Sequence, residues 1–157
     1  MDNVTFARNL VKGKIAETIF AQMFRETKKY TVLDFGYERI IPELVQEGYS
    51  EDSPTLKILK TAPDFAVIDK NAHTVMLIEV KYMRRLDQKY VTADIKRMQE
   101  CWNPSCLFIA TQEGFFFGDI NTIHKNNYVI LPLEEKFIPK DVQEKYLKIL
   151  KDFEANN

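Results

Sequence analysis

Pro63-Asp64 is followed by Glu79-Val80-Lys81, with the two acids fifteen residues apart. Two carboxylates and a lysine could carry out phosphodiester hydrolysis if the chain folds back between them. Magnesium prefers hard oxygen ligands in an octahedron and keeps several waters. Asp64 and Glu79 can each supply a carboxylate oxygen, leaving the other positions to water and phosphate. A cation held this way polarises the phosphate and lowers the pKa of a bound water. Lys81 adds a positive charge that can orient the attacking water and stabilise charge developing on the phosphate.

The neighbouring residues predict that fold-back. Residues 74–80 read T-V-M-L-I-E-V, apolar on both faces of a pleated strand, as expected of a strand covered on both sides. Alternation puts Glu79 and Lys81 on one face with Leu77 and Val75, and Val80 and Ile78 on the other. Residues 64–69 read as a second strand, and Lys70-Asn71-Ala72-His73 as a short polar connection. Antiparallel pairing then returns the end of the second strand to the start of the first, on strands about 4.8 Å apart. Pro63 is tolerated at a first strand position because its missing N–H is not needed there. Glu79 and Lys81 alone could be an ordinary solvated strand end; Asp64 brought beside them points to a site.

With this motif, spacing and strand context, the chain resembles the PD-(D/E)XK nucleases. The resemblance implies a restriction-endonuclease-like α/β fold: a central mixed β-sheet flanked by helices, in the order α-β-β-β-α-β, here with a C-terminal helix. The core would span about residues 6–111 of a single domain, 1–157, with 112–157 as an extension. Asp64 and Glu79 would be metal ligands, the Val80 carbonyl a third, and Lys81 the catalytic lysine. Mg²⁺ would be the cofactor, with Mn²⁺ able to substitute.

The family often adds an acid from its first helix. Residues 6–24 predict such a helix, with Phe6, Leu10, Ile15, Ile19, Phe20, Met23 and Phe24 on its apolar side. Gly13-Lys14-Ile15-Ala16-Glu17 looks like the first-helix motif, and Glu17 would serve the metal directly or through water. The alternative is a boundary glutamate paired with Lys14 or Lys12. Gly13 weakens a helix by about 1 kcal/mol relative to alanine and would allow close approach of a phosphate. A second helix is expected over residues 87–102. Lys96 and Gln99 share a face there, and family branches carry a polar residue on this helix near the site. Gln99 is therefore a catalytic candidate, with a solvated helical face as the alternative.

At 157 residues the length suits one domain. A net charge of −1 excludes a nonspecific nucleic-acid coat. Locally, Lys81, Arg84, Arg85, Lys89, Lys96 and Arg97 outnumber Asp87 and Asp94. Arg84, Arg85, Lys89 and Lys96, with Lys14, are the candidate nucleic-acid contacts. Cys101, Cys106, His73 and His124 have no zinc-site spacing. No signal peptide or membrane-spanning run is evident, so an intracellular protein is expected, cytoplasmic or wherever its nucleic acid is.

Elsewhere, residues 30–41 predict a long first strand and 42–60 an irregular segment. Residues 105–110 and 128–131 predict strands, and 139–153 an amphipathic helix that could cap the fold or form a homodimer contact. Phe115-Phe116-Phe117 reads as core on one face and partly covered on the other, rather than as a base-stacking platform. The expected function is a metal-dependent nuclease, acting on DNA in repair, recombination, restriction or a mobile element. Specificity could come from a protein partner. The alternatives are a non-catalytic nucleic-acid-binding or assembly module, or an RNA endonuclease. Viral cap-snatching endonucleases of related fold add a first-helix histidine, and none precedes His73.

Overall fold

The computed structural model describes residues 2–36 and 53–156. Helix α1 (Asn3–Glu26) starts where the Asp2 carboxylate accepts the Thr5 N–H at 2.7 Å, satisfying one orphan donor of the first turn. It is followed by β1 (Tyr30–Asp34), α2 (Pro54–Lys60), β2 (Phe65–Asp69) and β3 (Thr74–Tyr82). Then come α3 (Gln88–Cys101), β4 (Cys106–Thr111), β5 (Gly114–Asp119), α4 (Ile120–Lys125) and α5 (Lys140–Ala155).

The five strands form one sheet in the order β1-β2-β3-β4-β5. All neighbours are antiparallel except β3 and β4, which run parallel. A parallel pair needs a crossover, and α3 supplies it. This is the mixed, helix-flanked sheet of a restriction-endonuclease-like fold, with α2 inserted between β1 and β2.

Each sheet face has its own core. On one, Phe20 and Phe24 of α1 pack with Phe65, Val67, Ile78, Val80 and Phe108. The Phe20 ring lies 5.1 Å from Phe65 and 5.0 Å from Phe108, centre to centre. Leu150 of α5 joins this cluster. On the other face, Val91, Ile95 and Met98 of α3 pack on Leu107 and Ile109 with Ile120 and Ile123 of α4. Every residue of β4 is buried, as a central strand covered on both sides requires.

Several expectations need correction. Phe6 and Leu10 are 61% and 55% exposed; the buried face of α1 begins only at Ala16, because residues 2–11 are exposed throughout. The strand expected over 30–41 ends at Asp34 among the described residues; residues 37–52, including much of the segment expected to be irregular, lie outside them. Pro54–Lys60 is a helix rather than irregular. Proline is pre-set for a first helical turn, and Leu56 is buried. The Trp102 indole N–H donates to the Ile58 carbonyl at 3.0 Å and to the Thr61 hydroxyl at 3.2 Å, holding this helix to the end of α3.

Residues 128–131 do not form a strand. Asn127 and Tyr128 have φ of 54° and 62°, a left-handed turn incompatible with a pleated run. Only a single bridge forms, between Phe116 and Pro132. The aromatic run alternates as expected: Phe115 and Phe117 are core, and Phe116 packs on the opposite face. Among the described residues no helix is long and apolar enough to cross a membrane.

Candidate active site

The site forms where β2 stops short of β3. The β2–β3 ladder ends at Phe65 opposite Ile78. Two residues further along, Val80 would face Pro63, which has no N–H to give. Instead the Asp64 carboxylate accepts the Val80 N–H at 2.8 Å. The Asp64 carbonyl is fixed from the other side by the N–H groups of Phe35 and Gly36, at 2.9 and 3.2 Å. N–H and C=O of one strand residue point the same way, so the Val80 carbonyl also leaves β3 towards Asp64.

Glu79 and Lys81 point to the opposite sheet face from Val80. Their register partners on β4 are Leu107 and Ile109, which belong to the α3-side core. Glu79 is only 7% exposed, and the Lys81 ammonium lies 3.3 Å from its Oε1. An unpaired buried charge would be costly; this lysine offsets part of that cost.

Burial, and then the charge of Glu79, push the Asp64 carboxyl up to about 7, despite the opposing Val80 hydrogen bond. Burial also raises the Glu79 carboxyl, opposed first by Lys81 and then by the guanidinium of Arg97. Two acids that repel each other in a half-dry setting favour either a proton or a cation between them.

Both acids open into a cleft of about 570 Å³, with Lys81, Glu17, Gly13 and Arg84 also on its wall. Glu17 contributes to the raised Asp64 carboxyl and is paired with Lys14 at 3.3 Å. A Cβ on Gly13 would meet nothing within 4 Å, so the glycine leaves open space on the cleft wall.

Among the described residues there is no group of three or more His, Cys, Asp or Glu side chains that could hold a metal ion. Glu17 thus does not form a three-acid cluster with Asp64 and Glu79, and it makes the Lys14 pair of the alternative reading. The residues still fit magnesium, which is commonly held by one or two carboxylates with water and substrate phosphate. Asp64, Glu79 and the Val80 carbonyl are the groups that could hold it.

The other candidates fall in different places. Arg84 lines the cleft. Gln99 does not; its side-chain N–H donates to Asn121 at 3.4 Å. Lys96 lies 5.6 Å over the Tyr128 ring, and Lys89 is exposed in the first turn of α3. Lys14 is exposed and turned to Glu17 rather than lining the cleft.

The helix's own apolar stripe explains the miss. Val91, Ile95 and Met98 face the sheet. Helical spacing puts Lys96 and Gln99 on one flank of that stripe, and Asp94 and Arg97 on the other. The Asp94 and Arg97 flank is the one whose charges reach Glu79. Arg97 pairs with Asp94 at 3.6 Å, and its Nη2 is buried without a hydrogen bond among the described residues. Lys12 was likewise missed as a residue of the cleft wall; its signal is its place beside Gly13.

No protein-family model and no curated relative matches the sequence. Among solved structures the chain is similar to Hjc of Archaeoglobus fulgidus, a Holliday junction resolvase from an archaeal hyperthermophile. The identity is 13%, over 81% of this chain and 92% of that one, with a TM-score of 0.40.

Proposed function

We propose that this protein is a divalent-cation-dependent nuclease that hydrolyses phosphodiester bonds, with DNA as substrate and Mg²⁺ or Mn²⁺ as cofactor. The reading rests on one observation: two adjacent carboxylates, the buried Glu79 and the part-buried Asp64, share a cleft with a lysine ammonium 3.3 Å from Glu79. A second carboxyl beside a formed ion pair is costly unless a proton or a cation accompanies it, and such clusters gather at functional sites.

Asp64, Glu79 and the Val80 carbonyl would hold the cation, which supplies Lewis acidity to the phosphate and a more acidic bound water. Lys81 stabilises charge developing on the phosphate and orients the attacking water. Lys81 and then Arg97 oppose the rise that burial imposes on the Glu79 carboxyl, and Gly13 leaves room for the substrate backbone.

Cleavage of a DNA panel (linear duplex, single strand, flap and four-way junction) tests this directly. Wild type with Mn²⁺ should cut at least one of these substrates. Lys81→Ala and Asp64→Ala should lose that cleavage, each by about 100-fold or more. Cleavage unchanged in both variants would refute the site. Absence of any cation-dependent cleavage would favour a binding module.

A further inference from the structure

Arg84 stands on the wall of two clefts. A second cleft of about 450 Å³ shares Arg84 with the first and is lined further by Arg85, Gln112, Glu113, Lys151 and Glu154. The junction is held by backbone. The Met83 N–H donates to the Ala110 carbonyl at 3.0 Å, and the Gln112 N–H to the Arg84 carbonyl at 3.3 Å. The β3–β4 ladder thus runs past the end of β3 and fixes Arg84 between the two clefts.

Val80 and Tyr82 lie on the face covered by α1 and α5, and Arg84 follows in the bend just past the end of β3. Lys12 marks the same boundary. Its ammonium lies 5.5 Å over the Tyr82 ring on the wall of the first cleft, and its charge also reaches Glu154 in the second.

We infer that a DNA strand leaving the catalytic cleft passes over Arg84 into this second cleft, where Lys151 of the C-terminal helix holds one of its phosphates. This inference rests on the proposed nuclease reading. Lys12, Arg84, Arg85 and Lys151 place cations along two clefts that meet at Arg84, the pattern that follows a phosphate backbone. The Gln112 amide donates to the Glu154 carboxylate, which turns one of the second cleft's two acids to a protein partner. Lys89 and Lys96 line neither cleft, so the route runs across the α5 side of the sheet rather than along α3.

The test measures binding of labelled single-stranded and duplex DNA by fluorescence anisotropy in EDTA, over a range of salt, beside cleavage in Mn²⁺. The variants are Lys151→Glu, Lys151→Arg and, as a control outside both clefts, Lys125→Glu. Lys151→Glu should weaken binding several-fold and lower the salt slope by about 1. Its KM should rise with kcat retained. Lys151→Arg should restore both binding and slope, and Lys125→Glu should change neither.

Unchanged affinity and slope in Lys151→Glu, with cleavage intact, would overturn the route and leave the nuclease reading standing. Lys151-dependent binding with no cleavage by any variant would support the route and remove the nuclease reading. DNA left unbound by the wild type would overturn both.

Discussion

The Asp64 carboxylate accepts the Val80 backbone N–H at 2.8 Å, so one side chain completes the β2–β3 ladder at the point where Pro63 cannot. The same carboxylate is also the most strongly raised acid of the candidate site. Asp64 therefore has two separable roles, and substitutions can divide them.

Asp64→Asn keeps an acceptor for Val80 and removes the charge that Glu79 repels. It should abolish cleavage while leaving stability equal to wild type or higher at neutral pH. Asp64→Ala leaves the Val80 N–H without that acceptor and should be less stable than Asp64→Asn by about 1–3 kcal/mol. Urea unfolding of the two variants checks the difference; equal stabilities would mean that the hydrogen bond contributes nothing.

Asp64 and Glu79 both bind protons more tightly in the folded chain than in the unfolded one. Between about pH 4 and 7 the folded state therefore holds more protons, and stability falls as pH rises through that window. The lowered carboxyls of Asp2, Glu26 and Asp69 act in the opposite sense, but only as pH falls through and below the ordinary carboxylate range. In EDTA the melting temperature should be higher at pH 5 than at pH 7.5. Mn²⁺ should raise it more at pH 7.5, because the ligands must be deprotonated to bind. A melting temperature that climbs from pH 5 to 7.5 in EDTA would contradict the raised acid pair.

Arg97→Ala removes a cation whose charge reaches Glu79. It should lower kcat/KM several-fold, because the Glu79 carboxyl loses one of the charges that oppose the effect of its burial. Gln99→Ala should stay within about twofold of wild type in activity and lose at most about 1 kcal/mol of stability with its bond to Asn121. Steady-state kinetics on the two variants side by side distinguish the two flanks of α3; a larger loss in Gln99→Ala would reverse the assignment.

Gly13→Ala adds a methyl group where nothing stands within 4 Å. The helix should gain roughly 0.5–1 kcal/mol. If the space serves the substrate backbone, KM for DNA should rise in the same variant. A stabilised protein with unchanged KM would return Gly13 to an accident of the helix.

The hairpin was legible from residues 63–82 because strand alternation, a short polar turn and a proline all act locally. The sheet register then follows from which side chains are apolar. The flank of α3 that meets the site was less legible, because Lys96, Gln99, Asp94 and Arg97 are all polar. Only the buried stripe of Val91, Ile95 and Met98 sets the helix phase. The exposure of Phe6 and Leu10 was not legible at all, since an apolar periodicity does not tell how far along a helix its packing partner extends. The turn at Asn127-Tyr128 overrode four β-prone residues because two consecutive positive φ values re-aim the chain whatever the side chains prefer.

The acids and the lysine all lie within one hairpin, residues 64–81, whereas Glu17 comes from α1 and Lys151 from the far end of the chain. The reactive centre is thus short-range in sequence and the proposed guiding surface is long-range. Contacts of the first kind close small loops and form readily; those of the second wait for α5 to dock. Exchanging α5 for another helix of the same apolar stripe should redirect which nucleic acid is presented without disturbing how it is cut. On the proposed reading, the chemistry and the guiding of the substrate strand belong to separate parts of the chain.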